Sequence, residues 1–124
     1  MTQAEFNELP LLLRRHDVCE LLGWPAELVH DYRRDGDLRV FQPNPEVARA
    51  YYYRADVAKI HGQLALDVSF IDELPEFIRA GQFMHYSGLS PRSFYTACNC
   101  GQLVDLRHDG HYRRFYAKDL EWFT

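Results

Sequence analysis

Phe83-Met84-His85-Tyr86-Ser87-Gly88-Leu89-Ser90-Pro91-Arg92-Ser93-Phe94-Tyr95-Thr96-Ala97-Cys98-Asn99-Cys100-Gly101-Gln102-Leu103 is the stretch that decides the fold of this 124-residue chain, with the run that follows it to Lys118-Asp119-Leu120. A short helix is predicted first, and Gly88 ends it. Ser90-Pro91 is a helix start: a hydroxyl for the free amides, then a backbone angle already set for the first helical position. Gly101 supplies the stop. Helix, tight turn and capped second helix together have the sequence form of a helix-turn-helix.

Spacing divides the second helix into two faces. Phe94, Ala97 and Cys98 lie three and four residues apart and share an apolar side. Arg92, Thr96 and Asn99 share another, and each can hydrogen-bond to DNA. Arginine matches the two acceptors of guanine, asparagine pairs with adenine, and threonine contacts base or phosphate. Ser93 and Tyr95 are counted with them as candidate major-groove contacts. An ordinary solvated helix face has the same residue types, so the flanking sequence has to discriminate.

Val104-Asp105-Leu106-Arg107 and Tyr112-Arg113-Arg114-Phe115-Tyr116 alternate around Asp109-Gly110, a dipeptide suited to tight hairpin turns. The hairpin is expected to carry Arg107, His111, Arg113 and Arg114 beside the second helix, where phosphates would lie. From about Ile78 to Phe123 the order of pieces resembles the excisionase/MerR-like winged-helix DNA-binding domain. The resemblance rests on Gly88-Leu89-Ser90, the Gly101-Gln102-Leu103 step, Tyr112-Arg113-Arg114-Phe115 and Lys118-Asp119-Leu120. It implies double-stranded DNA as partner and a role as recombination directionality or architectural factor, or as a small transcriptional regulator of a mobile element. A recombinase, or another copy of the chain on DNA, is the implied protein partner.

The first half repeats the pattern. Val18, Leu21 and Leu22 form an apolar helical face ending at Gly23, and Gly36 follows thirteen residues later, as Gly101 follows Gly88. Tyr53-Arg54-Ala55-Asp56-Val57 answers Tyr116-Ala117-Lys118-Asp119-Leu120, with two extra residues in the first hairpin. The expected architecture is mainly α with small β-hairpins (α+β), as tandem winged helix-turn-helix modules packed together. The divisions are a degenerate first module over 9–66, an acidic connector over 67–76 and a second module over 77–124. The first copy departs where function would sit. Its second helix turns Glu27, Asp31 and Arg34 outward and Leu28, Val29 and Tyr32 inward, and Phe41-Gln42-Pro43-Asn44-Pro45-Glu46 is a proline-broken loop. Arg34, Arg49 and Arg54 are its auxiliary candidates for DNA contact. The connector carries Leu64, Leu66, Val68 and Phe70 in alternation, or else continues a helix from Asp56 with Val57, Ile60 and Leu64 on one side. Either form needs burial, so the modules are expected to pack together.

Charge distribution informs the partner more than the net value of −4. Positions 77–124 hold six Lys/Arg against four acidic residues, positions 1–62 eight against ten, and positions 63–76 four acidic residues alone. The basic share therefore falls in the second half, where phosphate contacts are expected. No apolar run approaches the roughly 20 residues that span a bilayer. The amino terminus lacks a basic-then-apolar leader, and three cysteines without a disulfide framework suit a reducing compartment. A cytoplasmic protein without membrane contact is expected.

No cofactor, metal or catalytic residue is expected. Cys98, Cys100, His108 and His111 are zinc-ligand types, but Cys98 and Cys100 on one helix point about 200° apart. Glycine-rich phosphate loops, GxSxG and HExxH are missing, and the six histidines are scattered. Trp24 and Trp122 fall where the repeat calls for core, and Tyr51, Tyr52 and Tyr53 read as a hairpin face buried on helices. The expected function is sequence-specific DNA binding without enzymatic activity. Its rival is a protein-interaction module on the same fold with little or no DNA affinity, favoured by the net charge and by Glu27 and Asp31.

Overall fold

The computed structural model describes residues 1–44, 46, 49–106 and 114–124. It is a mixed α/β chain, about half helical, with two small antiparallel sheets. A short helix α1 (Gln3–Asn7) precedes strand β1 (Leu12–Leu13), helices α2 (Arg15–Leu22) and α3 (Ala26–Arg34), strands β2 (Val40–Phe41) and β3 (Tyr51–Tyr53), and helix α4 (Arg54–His61). After α5 (Phe70–Glu73) a strand, two helices, a strand and a helix follow, among the described residues one strand fewer than in the first half. These elements are β4 (Phe77–Arg79), α6 (Ala80–Ser87), α7 (Pro91–Asn99), β5 (Arg114–Tyr116) and a closing 3₁₀ helix (Ala117–Phe123).

Local chemistry acts alike at corresponding points of the two halves. The chain amide of Arg14 is bonded by Asp17 and that of Arg79 by Gln82, each at 3.1 Å, so α2 and α6 start with the same back-reaching side chain three residues on. Ser90 accepts from the amide of Ser93 at 3.2 Å, with Pro91 in the first turn of α7 as the sequence predicts. The stops at Gly23 and Gly88 are both left-handed. Pairing corresponds too: Leu13 opposes Tyr52 in the first sheet, and Ile78 opposes Phe115 in the second.

The first sheet, ordered β1-β3-β2, is what joins the halves. Successive strand residues face opposite sides. Leu13 and Tyr52 therefore point into a core with Phe6, Val18, Val29, Leu38 and Val57. Leu12 and Tyr51 point the other way, into a core with Phe83, Phe94, Phe115 and Leu120 of the second half. The expected packing of the halves thus has a definite agent: one sheet with both faces buried. Leu11 donates to the Tyr86 carbonyl at 3.0 Å, and Gly88 lies so close to the same segment that a Cβ there would sit 2.5 Å from the Leu12 carbonyl oxygen.

Three expectations need correction. Helix α4 does not run on to Leu64; Gly62 terminates it in the left-handed region. Residues 63–68 form neither helix nor strand, and their apolar side chains bridge the two cores, Leu64 packing on the first and Val68 on the second. Trp24 stacks on Tyr32 at 4.4 Å as expected of packing, but Trp122 is 50% exposed, because the closing 3₁₀ helix turns Leu120 and Phe123 inward instead. The predicted turn at Asp109-Gly110 lies outside the described residues. Helix α1, which precedes the predicted first module, was not anticipated. Thr2 and Glu5 cap it reciprocally, and it delivers Phe6 to the core. No helix among the described residues is long and apolar enough to cross a membrane.

Candidate nucleic-acid interface

Helix α7 presents the two predicted faces. Phe94 and Ala97 are fully buried, and Cys98 packs against the same core. Arg92, Tyr95 and Asn99 are exposed, and Thr96 is partly so. Ser93 does not belong with them. It is 3% exposed, and its hydroxyl accepts from the Tyr51 phenol at 2.9 Å, because the β3 tyrosine reaches across the junction to the first turn of α7. Burial pushes the Tyr51 phenol up, yet its hydrogen bonding with Ser90 and Ser93 and the charge of Arg14 outweigh it and leave it below its usual range.

Residues 42–44 and Arg49 of the first half lie beside α7. Gln102, just past the helix, donates to the carbonyls of Gln42 and Pro43 at 2.6 and 2.5 Å and holds the loop in place. Pro43, Asn44 and Arg49 then form one wall of a cleft of about 430 Å³ whose other wall is Arg92, Ser93 and Thr96. The auxiliary candidate Arg49 is thereby brought beside the predicted groove-reading helix, a juxtaposition across the two halves.

The other auxiliary arginines are placed differently. Arg34 lies 3.5 Å from both Asp31 and Asp35, so local carboxylates engage its charge. Arg54 is fully buried and makes no external contact. Its Nη1 donates to the carbonyls of Phe6 (3.1 Å), Asn7 (3.3 Å) and Leu9, its Nη2 lies 3.4 Å from the Asp67 carbonyl, and the guanidinium stacks on Phe6. A cation over the carboxyl end of α1 meets the negative end of that helix. Burial lowers the Arg54 pKa from its usual value. Arg54 is therefore a structural clamp and not a DNA contact. Of the expected wing residues, Arg114 lies in β5 opposite Arg79 and is half-buried, while Arg107, His111 and Arg113 fall outside the described residues.

A second basic cleft, of about 310 Å³, was not anticipated. Arg14, Arg15, His16, Arg33, Ala50 and Tyr52 line it. Arg14 and Arg15 stand at the start of α2, and Arg33 comes from the last turn of α3. The Arg14-Arg15-His16 run was its available signal. The outward face of α3 is as acidic as predicted, with Glu27 exposed and Asp31 partly exposed. Among the described residues no group of three or more His, Cys, Asp or Glu is placed to hold a metal ion. Cys98 is partly buried and Cys100 is exposed just past α7, while His108 and His111 lie outside the described residues. No protein-family model matches this sequence, nor does any curated protein or solved structure.

Proposed function

We propose that the chain is a DNA-binding protein built of two winged helix-turn-helix units, with α7 as the helix that enters the major groove. The observation that carries the reading is the exposed Arg92–Thr96–Asn99 face of a helix whose opposite side is locked into the core. Such a helix is rigid, its donors and acceptors suit base edges, and Arg49 beside it suits phosphate. In this reading Arg92 and Asn99 select sequence, and Arg113 and Arg114 hold the backbone from the wing. The biological role is that implied by the excisionase-like order of elements: a directionality or architectural factor in recombination, or a small transcriptional regulator.

Fluorescence anisotropy of mixed-sequence duplex DNA, titrated with the protein at several salt concentrations, tests it. Binding that weakens steeply with salt is expected. Arg92→Ala or Asn99→Ala should change sequence preference, whereas Arg113→Ala with Arg114→Ala should weaken all sequences alike. Absence of binding at the lowest salt refutes the reading. A second reading, a protein-docking module, is favoured by the acidic outward face of α3, where Glu27 and Asp31 would repel phosphates.

A further inference from the structure

The two basic clefts share one segment of chain. Arg49 lines the cleft beside α7, and its neighbour Ala50 lines the cleft at the start of α2. Tyr51 continues the link: Arg14 lies 5.0 Å from the centre of its ring, and the hydroxyl at the far end of that ring is bonded to the first turn of α7. Arg14 is thus about one tyrosine length from the helix that carries Arg92. Arg33 and Arg34 are adjacent in sequence but turned apart by about 100° of helix. Arg34 meets Asp31 and Asp35, and Arg33 lines the cleft. Neither cleft has an Asp or Glu among its described lining residues. The carboxylate of Asp17 bonds the Arg14 amide and lies 3.1 Å from His16.

We infer that Arg33, Arg15, Arg14, Arg49 and Arg92 form one phosphate track that crosses from the first half of the chain to the second, so that a single DNA strand is gripped by both. The inference rests on the DNA-binding reading and gives the first half a role in it: charge, with no reading of bases. It also reconciles the acidic α3 face with DNA binding, because the track passes the start of α2 and the last turn of α3 and avoids Glu27. A polyanion fits better than a small phosphate ester, since the arginines come from separate elements and line two clefts, with no single point on which all five converge. Duplex DNA fits better than duplex RNA, because the track leads to a helix face suited to a wide major groove, which A-form RNA lacks.

The test is the salt dependence of duplex-DNA binding by the full chain carrying R15Q and R33Q. Each arginine that neutralises a phosphate adds about 0.9 to the slope of log affinity against log salt, so the double variant should lose about 1.8 and R15Q alone about 0.9. R34Q, with the same charge change one residue further on, should keep the wild-type slope. R15K with R33K should restore it, which separates charge from folding. Wild-type binding with an unchanged slope in the R15Q/R33Q protein overturns the track and leaves the role of α7 standing. Failure of the wild-type protein to bind duplex DNA removes the reading beneath it. Tighter binding to an RNA duplex than to the matching DNA overturns the assignment of the polyanion.

Discussion

Replacing Arg54 discriminates most sharply between a structural and a DNA-binding arginine. Its side chain is wholly buried, and the carbonyl of Phe6 that it serves is buried with it, whereas the bonds to Asn7, Leu9 and Asp67 are only partly buried. Water can replace the partly buried bonds but not the first. In Arg54→Met the stem is kept and the buried Phe6 carbonyl keeps the Leu9 amide (3.1 Å) but loses its charged donor, a cost of about 1–3 kcal/mol. Arg54→Ala also removes two buried methylenes at about 0.8 kcal/mol each, for a total of about 3–5 kcal/mol. For 124 residues, an unfolding entropy of about 2.1 cal/mol/K per residue makes each kcal/mol about 4 °C. The expected drop in Tm is therefore about 4–12 °C for Met and about 12–20 °C for Ala, read by circular dichroism and checked by urea unfolding. The folded fraction of Arg54→Met at low temperature should show an unchanged salt slope for DNA. A Met variant within about 0.5 kcal/mol of wild type, or a reduced slope at full stability, refutes the clamp.

Three further outcomes are expected. Gly23→Ala and Gly88→Ala occupy equivalent places, both with positive φ, but only Gly88 faces backbone. The first should cost about 1–2 kcal/mol from the left-handed angle, and the second at least about 3 kcal/mol, because the new methyl would strike the Leu12 carbonyl and Pro10; equal urea midpoints would contradict this. Asp56 is buried and holds both the amide of Arg39 (2.8 Å) and its half-exposed guanidinium (3.0 Å). Asp56→Ala should cost about 2–3 kcal/mol and Arg39→Ala about 1 kcal/mol or less, with the reverse order of stabilities counting against the assignment. Burial raises the Asp119 carboxyl above its ordinary value of 3.8, so the unfolded chain releases that proton first and stability falls as pH rises through the folded pKa. Asp119→Asn should therefore stabilise at pH 7 by less than about 1 kcal/mol and bring no gain below pH 3.8, as thermal melts across pH would show.

Much of the local structure was legible because its causes lie within four residues along the chain. Ser90, Pro91 and Gly88 act on their own backbone, and the spacing of Phe94, Ala97 and Cys98 fixes which side of α7 turns inward. Gly23 and Gly88 were legible for the same reason, since each ends a helix in the left-handed region. Helix α1 was missed although Thr2 and Glu5 form its capping box, because five residues give too short a period to read.

What sequence alone determined, then, is where α6 stops and α7 starts and which faces of α2 and α7 turn inward, since these follow from local backbone chemistry and side-chain periodicity. Which charges are available to a partner was decided only by tertiary structure. Arg49 and Arg54 look alike in the sequence, yet the second is enclosed by carbonyls from Phe6 and Asp67. Arg33 and Arg34 are adjacent, yet one lines a cleft and the other is paired. Ser93 lies on a polar stretch of helix, yet Tyr51, forty-two residues away, buries it. Solvation and charge pairing depend on what lies within a few ångströms in space, and those neighbours come from distant parts of the chain.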